Sequence, residues 1–498
     1  MLLVSRHFCA WAISALLAAG CASSSRPKAA APESRTPGQV KTTSASPGSG
    51  VDDPSAGKET APVPPPPPAD PRATFAAWLK EKLPEGGEVV DRADAPLAVA
   101  HTAKKGDTFL SVAKAYLDLT EVYFSEDLAK EMVKAAPKEK RGVLAEGMRV
   151  EIPRLLSEPY KTGDAERLGV PDDKAIRGLY MRGDTAARSF FLGMIDKMAP
   201  RGINAIVLDA KDYDGPITYP SKVAVALESG SVKNPPIRDL ARTIRFVHKR
   251  GVRVLIRISC FEDEIVAKAK PKLSVQAKWG RAYPIGWLDP NNEEAQQYII
   301  DLAKEAMDAG ADEIQLDYVR YPVLGIKGAD FKLDPKNPIA KVDVITGFVH
   351  KVHEITKARG VPLSLDIFGV VAHGNRVDID ALGQDPARLA PECEALSPMV
   401  YPSHYSTGFY GFEVPGDHPE IIGIGTRLTI EQLRKANQSG TQVRPWLQAM
   451  HYKSPSYGPL YLAQEVKYAG ENGAAGWLMW NPGQDYDYAW RAVPVATK

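Results

Sequence analysis

The stretch IQLDYVRYP at residues 314–322 decides the fold, because it starts as a β-strand and ends in charged and aromatic side chains. Successive side chains of a strand point to opposite faces. Ile314 and Leu316 therefore share one face, and Gln315 and Asp317 share the other. In a β-barrel surrounded by helices, one face packs against the helices and the other points into the barrel. The stretch is therefore predicted to be a barrel strand that carries Asp317 to the interior.

Seven other segments between residues 175 and 490 have the composition of strands, and amphipathic helical segments separate them. With the opening stretch, the eight predicted strands cover residues 176–181, 205–209, 252–259, 313–318, 363–368, 396–401, 443–448 and 476–481. Eight strands that alternate with helices over roughly 300 residues predict an α/β fold, a (β/α)8 TIM barrel at residues 175–490. A doubly wound open sheet is the main alternative.

Polar side chains recur where the predicted strands end. By the alternation of side chains, Asp209 and Lys211 are predicted to point inward from the second strand. Arg257 is predicted to do so from the third strand, and Asp366 from the fifth. A second set of candidate substrate-binding residues lies at the ends of strands four, six, seven and eight or just beyond them: Arg320, Tyr401, Trp446, Gln448, Trp480 and Asn481. The C-terminal ends of the strands form the active-site face of such barrels.

Two interpretations account for these polar groups. Burying an unpaired polar group costs about 2 to 7 kcal/mol, so the groups must either pair with one another or meet a polar ligand. A structural ion-pair network would join Arg257 to Asp317 and Lys211 to Asp209. The number of polar residues at one edge favours a ligand site.

Asp317 and Asp366 are the predicted catalytic residues of glycoside hydrolysis. Adjacent strands lie about 4.8 Å apart, so the two carboxylates can reach the separation of about 5 to 5.5 Å of a retaining enzyme or of about 6.5 to 9.5 Å of an inverting one. Arg257 or Arg320 would keep Asp317 ionised as a nucleophile. The apolar neighbours of Asp366 would raise the pKa of its carboxyl group, which suits a proton donor.

The N-terminal residues 1–20 contain a basic residue, a short apolar run and small residues, which together predict an export signal peptide. Residues 17–21, LAAGC, resemble the lipobox of bacterial lipoproteins. This resemblance implies cleavage before Cys21, a lipid anchor on that cysteine and, because Ala22 follows, delivery to the outer membrane. Residues 21–72 are rich in Pro, Ala and Ser and are predicted to form a disordered tether.

Residues 98–155 predict a small α+β domain. Gly106, Asp107 and Thr108 offer a turn and capping oxygens before a helix, and residues 148–152 alternate like a strand. The order strand, helix, helix, strand resembles a LysM domain. The resemblance implies binding of glycans that contain N-acetylglucosamine, such as peptidoglycan or chitin, and a purely structural spacer is the alternative.

Five motifs of the barrel region resemble a bacterial family of glycoside hydrolase-like barrels that has been catalogued as a domain of unknown function. The motifs are LDAKD at 208–212, IQLDYVRYP at 314–322, LSLDIFG at 363–369, SPMVYPSHY at 397–405 and LMWNPGQDYDY at 478–488. The resemblance covers residues 175–490 and implies a barrel related to glycosidases. It also implies that Asp317 is the leading catalytic candidate.

Composition and motifs restrict the other partners. The 62 basic and 61 acidic residues give a net charge of +1, which does not indicate a nucleic-acid binder. Nucleotide-binding and serine-hydrolase motifs are missing, so no cofactor is expected. His373, His404 and His451 follow predicted strands, but their spacing does not match a metal site and no metal is expected. Two cysteines beyond the anchor are too few for a disulfide framework.

Three functions therefore remain for the exported, lipid-anchored protein. The first is a cell-envelope glycoside hydrolase that acts on a polysaccharide or on peptidoglycan glycan strands. The second is a non-catalytic envelope lipoprotein that binds a glycan or acts as a scaffold. The third, and the least favoured, is a metal-dependent deacetylase on the same barrel.

Overall fold

The computed structural model describes residues 70–136, 144–323 and 325–496. The predicted signal peptide, Cys21 and residues 21–69 of the predicted tether lie outside the described residues. The first helix already begins at Pro71, so the last two residues of the predicted tether are helical.

The N-terminal part, up to residue 155, is a small α+β unit with its own hydrophobic core. Its elements are α1 (Pro71–Lys82), β1 (Gly87–Val90), β2 (Ala98–Thr102), α2 (Phe109–Tyr116), α3 (Ser125–Ala135) and β3 (Arg149–Glu151). The three strands pair antiparallel in the order β1-β2-β3. The predicted order of strand, helix, helix and strand is confirmed, and β1 adds a strand that the sequence did not predict.

The turn before α2 forms as its sequence predicts. Thr108 Oγ1 accepts a hydrogen bond from the Ser111 backbone N–H at 3.0 Å, and Ser111 Oγ accepts one from the Thr108 N–H at 2.8 Å. This capping box satisfies two backbone donors that the helix leaves free. The unit contacts the rest of the chain through Tyr123, whose hydroxyl donates to the Ala186 carbonyl at 3.1 Å.

The remaining part of the described chain alternates strands and helices. Its strands are β4 (Ile176–Met181), β5 (Ala205–Lys211), β6 (Arg253–Ser259), β7 (Gln276–Ala277), β8 (Glu313–Asp317), β9 (Ala329–Asp330), β10 (Leu363–Phe368), β11 (Ala395–Met399), β12 (Gln442–Val443), β13 (Trp446–Gln448) and β14 (Gly476–Trp480). Its helices are α4 (Gly183–Ala186), α5 (Phe191–Ile195), α6 (Ala224–Ser229), α7 (Leu240–His248), α8 (Glu264–Ala269), α9 (Glu293–Asp308), α10 (Ala340–Ala358), α11 (Arg376–Leu382), α12 (Pro386–Leu389), α13 (Glu420–Lys435), α14 (Pro459–Glu471) and α15 (Asp487–Ala496).

Nine strands form one parallel sheet in the order β12-β11-β10-β8-β6-β5-β4-β14-β13. The two ends of this order, β12 and β13, are separated along the chain only by Arg444 and Pro445. The Ala475 N–H donates to the Val443 carbonyl at 2.9 Å, so the last strand β14 also contacts the β12 end. The sheet therefore curls until its edges meet, which is consistent with a TIM-like barrel and not with an open doubly wound sheet. The seventh predicted strand, 443–448, is interrupted, because Pro445 has no N–H to donate to a neighbour.

The predicted alternation of side chains in β8 is confirmed. Ile314 and Leu316 belong to the large core between the sheet and the helices. Glu313, on β8, forms an ion pair of 2.8 Å with Arg444 between β12 and β13, and these strands are not neighbours in the sheet. Their contact therefore crosses the barrel interior. Strand β8 ends at Asp317, one residue earlier than predicted, because Tyr318 has a left-handed φ of 50°.

Candidate active site

Asp317 lies at the C-terminal end of β8 with both carboxylate oxygens engaged. Its Oδ1 accepts a hydrogen bond from the Tyr318 N–H at 2.6 Å, which the turn of the backbone after the strand makes possible. Its Oδ2 accepts hydrogen bonds from Arg257 Nε at 3.1 Å and Nη2 at 2.6 Å. Asp317 is therefore a carboxylate held by an arginine, and only 6% of its side-chain surface is exposed.

Arg257 is the centre of a buried network of three carboxyl groups. Besides Asp317, it donates from Nη1 to Asp209 Oδ1 at 2.6 Å, and its Nε lies 3.8 Å from Asp366 Oδ2. The strand register explains why these groups lie close together, because Arg257 on β6 pairs with Asp209 on β5 and with Gln315 on β8. The pairing of Arg257 with Asp317, which the structural alternative predicted, is present. The predicted pairing of Lys211 with Asp209 is wrong, because Lys211 forms its ion pair with Asp263 instead, at 3.0 Å.

Asp366 is 1% exposed and differs in character from Asp317. The Trp446 indole N–H donates to its Oδ1 at 2.7 Å, and this contact crosses the barrel from β13 to β10. Among the described residues, its buried Oδ2 has no hydrogen-bond partner. Burial, followed by the charge of Asp317, raises the pKa of Asp366 well above its usual range, although Arg257 and Trp446 act in the opposite direction. Burial and the neighbouring charge therefore favour the protonated form of Asp366.

The two predicted catalytic carboxyl groups lie close together. Arg257 Nε is 3.1 Å from Asp317 Oδ2 and 3.8 Å from Asp366 Oδ2, so these two oxygens are at most about 7 Å apart. That limit includes the separation of a retaining pair, about 5 to 5.5 Å, and only the shortest part of the inverting range, about 6.5 to 9.5 Å.

Asp209 completes the network at the end of β5. It accepts hydrogen bonds from Arg257 and from the Tyr180 hydroxyl, a residue of β4 that the sequence did not single out. Burial raises the pKa of Asp209 to about 7, with Arg257 opposing the shift and Asp212 adding to it. The raised pKa therefore brings the titration of Asp209 close to neutral pH.

Aromatic rings line the apolar side of the network. Trp480 stacks on Tyr180 with ring centroids 3.9 Å apart, and it meets Trp446 edge-on at 5.7 Å. The Arg257 guanidinium lies 5.4 Å from the Trp480 ring centroid. Tyr401 is 2% exposed and belongs to the same interior cluster. The predicted binding residues Tyr401, Trp446 and Trp480 are thus brought together around Arg257.

Three other predicted substrate-binding residues have their polar groups engaged within the protein. Lys211 donates to the Ser259 carbonyl at 2.8 Å besides its ion pair with Asp263. Gln448 binds the backbone of the loops that follow β11 and β13, including the Ser403 N–H at 3.1 Å. The Asn481 amide donates to the Ala449 carbonyl at 2.7 Å. The sugar contacts predicted for Lys211, Gln448 and Asn481 would require these bonds to break.

A β-bulge explains the position of Lys211. The register between β5 and β6 shifts after Asp209, so Lys211 pairs with Ile258, whose side chain belongs to the outer core. The prediction that Lys211 shares the inward face of Asp209 is therefore wrong, because an extra residue in the strand reverses the alternation.

The rim above the buried network carries the last predicted residue, Arg320. It is partly exposed, and its guanidinium carbon lies 4.9 Å from the Trp287 and Phe368 ring centroids and 5.2 Å from that of Tyr318. Glu262, which the sequence prediction missed, is also partly exposed here. An acidic pair immediately after a strand that ends at the active-site face is the signal that could have identified it.

Other features of the described chain do not add to this site. Within residues 70–136, 144–323 and 325–496, no cluster of three or more His, Cys, Asp or Glu residues could hold a metal ion. In the same ranges, no helix has both the length and the apolar character needed to cross a membrane. Cys260 and Cys393 are buried and unpaired. A cavity of about 1010 Å³ lies at the opposite end of the barrel, near Ala175, Arg177 and Gly476, where the strands begin.

Solved structures give several weak likenesses. A hypothetical protein from Ruminiclostridium thermocellum ATCC 27405 is 32% identical over 38% of this chain and 96% of its own, with a TM-score of 0.33. The PgaB (BpsB) glycoside hydrolase domain from Bordetella bronchiseptica is 14% identical over 65% of this chain and 98% of its own, with a TM-score of 0.48. The spore cortex-lytic enzyme SleL from Bacillus megaterium QM B1551 is 12% identical over 79% of this chain and 85% of its own, with a TM-score of 0.39. These TM-scores are too low to bear on the site or its reaction.

Sequence comparison identifies the family directly. No curated protein matches the chain significantly. Residues 178–486, more than half of the 498 residues, match the family described as "Putative glycosyl hydrolase domain". The matched segment begins in β4 and ends after β14, so it contains the whole network around Arg257. The chain therefore belongs to the family whose description is "Putative glycosyl hydrolase domain".

Proposed function

We propose that this protein is a glycoside hydrolase that cleaves glycosidic bonds of a cell-envelope polysaccharide or of peptidoglycan. One observation carries the proposal: two carboxyl groups lie within about 7 Å of each other, and their surroundings differ as glycoside hydrolysis requires. Asp317 is paired with Arg257 at 2.6 Å, whereas burial raises the pKa of Asp366. Environments that separate the protonation of two neighbouring carboxyl groups are typical of an acid and nucleophile pair.

In this proposal, Asp317 attacks the anomeric carbon, or stabilises the positive charge that develops there, as the glycosidic bond breaks. Asp366, whose raised pKa favours its protonated form, is the sequence-predicted donor to the leaving oxygen. The limit on the carboxyl separation supports a retaining reaction, in which a covalent glycosyl ester on Asp317 is later hydrolysed. Trp480 and Tyr401 lie buried at the same edge of the barrel, and their rings would contact a sugar once the cluster opens.

The envelope location is the second half of the proposal. The signal peptide of residues 1–20 and the lipobox-like sequence before Cys21 support export and a lipid anchor, with Ala22 favouring the outer membrane. The LysM-like order of elements in residues 98–155 supports binding of an N-acetylglucosamine-containing glycan. Together these parts would hold the barrel close to glycan strands, with the membrane contact made through the lipid alone.

A non-catalytic role in glycan binding or scaffolding is the second candidate. The observation that favours it is the ion pair of Arg257 with Asp317, which leaves only 6% of the Asp317 side chain exposed. An enzyme of this design would have to shift that ion pair when a sugar enters. A scaffold would keep the ion pair of Arg257 with Asp317 intact.

Hydrolysis of a panel of cell-wall and capsular polysaccharides by the purified protein tests the proposal. We expect new reducing ends from at least one polysaccharide, and a loss of at least about 100-fold in the Asp317→Asn variant. Asp172→Asn, at an exposed carboxylate before β4, is the matched control and should retain full activity. NMR of the first product should show retention at the anomeric carbon. Binding without release of reducing ends from any polysaccharide would establish the scaffold instead.

A further inference from the structure

Glycoside hydrolysis requires a proton that moves twice in each turnover. It goes to the leaving oxygen in the first step and is recovered from water in the second. Asp366 is 1% exposed, its Oδ1 accepts from Trp446, and its Oδ2 is buried. A carboxyl group in this position holds its proton firmly but exchanges it poorly with the solvent. The rim above it contains a carboxyl group with better access.

Glu262 is that carboxyl group, and the backbone fixes it beside Asp317. After the end of β6, the chain continues alongside β8, because the Cys260 N–H donates to the Asp317 carbonyl at 2.8 Å. The Glu262 carbonyl then accepts from Lys211 Nζ at 3.3 Å. The ion pair of Lys211 with Asp263, 3.0 Å long and fully buried, anchors the next residue. Glu262 is therefore held at the same barrel edge as Asp317, on a rigid support.

The environment of Glu262 suits a group that both gives and takes a proton. Burial of much of its side chain raises the pKa of Glu262 to about 7. The positive charges of Arg320 and Lys211 act against this increase, and the negative charges of Asp317 and Asp214 add to it. A general acid and base works best when its pKa is near the working pH. The side chain nevertheless remains partly exposed, so that water and a leaving group can reach it.

We propose that Glu262, in place of the sequence-predicted Asp366, is the acid and base catalyst of this barrel, a role that rests on the proposed function. Its proton passes to the glycosidic oxygen as the bond from that oxygen to the anomeric carbon breaks, and an Asp317 oxygen bonds to that carbon. Glu262, now ionised, then removes a proton from water. The water oxygen bonds to the anomeric carbon, the ester to Asp317 breaks, and both side chains return to their starting states. Asp366 keeps its proton throughout and limits the negative charge beside Asp317.

Leaving-group dependence tests this assignment, with 2,4-dinitrophenyl and methylumbelliferyl glycosides of glucose, galactose, glucosamine and N-acetylglucosamine as probes. A leaving group that departs without a proton does not need the acid. We therefore expect Glu262→Gln to lose at least about 100-fold in kcat/KM on the methylumbelliferyl glycoside and much less on the dinitrophenyl glycoside. Added azide should restore turnover of the dinitrophenyl glycoside and yield a glycosyl azide. Glu264→Gln, an exposed neighbour in α8, should behave as wild type.

The pH profile provides a second readout. In the wild type, kcat/KM should fall above about pH 7 as Glu262 loses its proton, and this limb should be missing in Glu262→Gln. Full activity of Glu262→Gln, or an equal loss on both glycosides without azide rescue, would overturn the assignment. A leaving-group effect in Asp366→Asn but not in Glu262→Gln would give the role to Asp366. A wild type that cleaves no glycoside and no polysaccharide would refute the proposed function itself, and the role of Glu262 with it.

Discussion

Asparagine substitutions at the two buried aspartates should destabilise the protein to different extents. Arg257 donates two hydrogen bonds to Asp317 Oδ2, at 3.1 and 2.6 Å. A hydrogen bond to a charged group contributes about 1.5 to 3 kcal/mol, and the amide oxygen of asparagine can still accept one of the two. Asp317→Asn should therefore lower the free energy of unfolding by about 2 to 4 kcal/mol at pH 7.

Asp366→Asn should cost less than about 1 kcal/mol at the same pH. Because burial and the charge of Asp317 raise the pKa of Asp366, asparagine replaces a group whose neutral form is favoured. The amide oxygen can accept the Trp446 N–H as Oδ1 does now, at 2.7 Å. No charge is removed, so Arg257 keeps the same number of ionised partners.

Urea unfolding of the whole purified protein at pH 7, followed by tryptophan fluorescence and by circular dichroism, measures both costs. The two probes should give coincident transitions for the barrel, and Asp172→Asn serves as the surface control. Equal destabilisation by Asp317→Asn and Asp366→Asn would refute the reasoning, because it would mean that Asp366 is ionised. Stabilisation by Asp317→Asn would refute it too, since Arg257 would then not need that carboxylate.

Three further substitutions test the surrounding structure. Burial disfavours the charged ring of His248, yet hydrogen bonds to two carboxylates raise its pKa to about 9. The stability that the charged His248 contributes to the fold is therefore complete below the usual pKa of 6.5 and is lost as the pH rises through 9. His248→Gln should remove that dependence from urea unfolding measured between these pH values. Lys211→Met leaves Asp263 buried without its cation, and calorimetry should show a loss of about 3 to 5 kcal/mol, which a second substitution, Asp263→Asn, should partly restore. Trp446→Phe removes one hydrogen bond to Asp366 and should lower kcat about tenfold on a cleaved glycoside without unfolding the protein.

Most of the barrel could be predicted because its physical causes are local in sequence. A strand buried on both sides alternates by parity, so the positions of Ile314 and Asp317 follow from their spacing alone. The carboxyl ends of parallel strands meet at one edge, so Arg257 and Asp366 had to lie near Asp317. The break at Pro445 was not predicted, although proline removes a donor that a continuous strand would use.

What could not be predicted depends on single residues and on contacts across the barrel. The bulge after Asp209 needs only one extra residue in β5, and nothing in the local sequence requires it. It moves Lys211 from the network to Asp263. The contact of Trp446 with Asp366 joins two strands that are not neighbours, so neither parity nor strand order specifies it.

The two ends of the barrel interior differ in how their buried charges are matched. At the opposite end, Glu313 meets Arg444 with both of its oxygens, at 2.8 and 3.1 Å, so one anion is matched by one cation. Around Arg257, three carboxyl groups share a single guanidinium, and burial together with the charge of Asp317 raises the pKa of Asp366. A buried ion pair contributes little net stability even when it is matched, so an excess of carboxyl groups cannot be there to stabilise the fold. An excess of carboxyl groups at the edge where the strands end is the arrangement that the proposed glycoside hydrolysis would use.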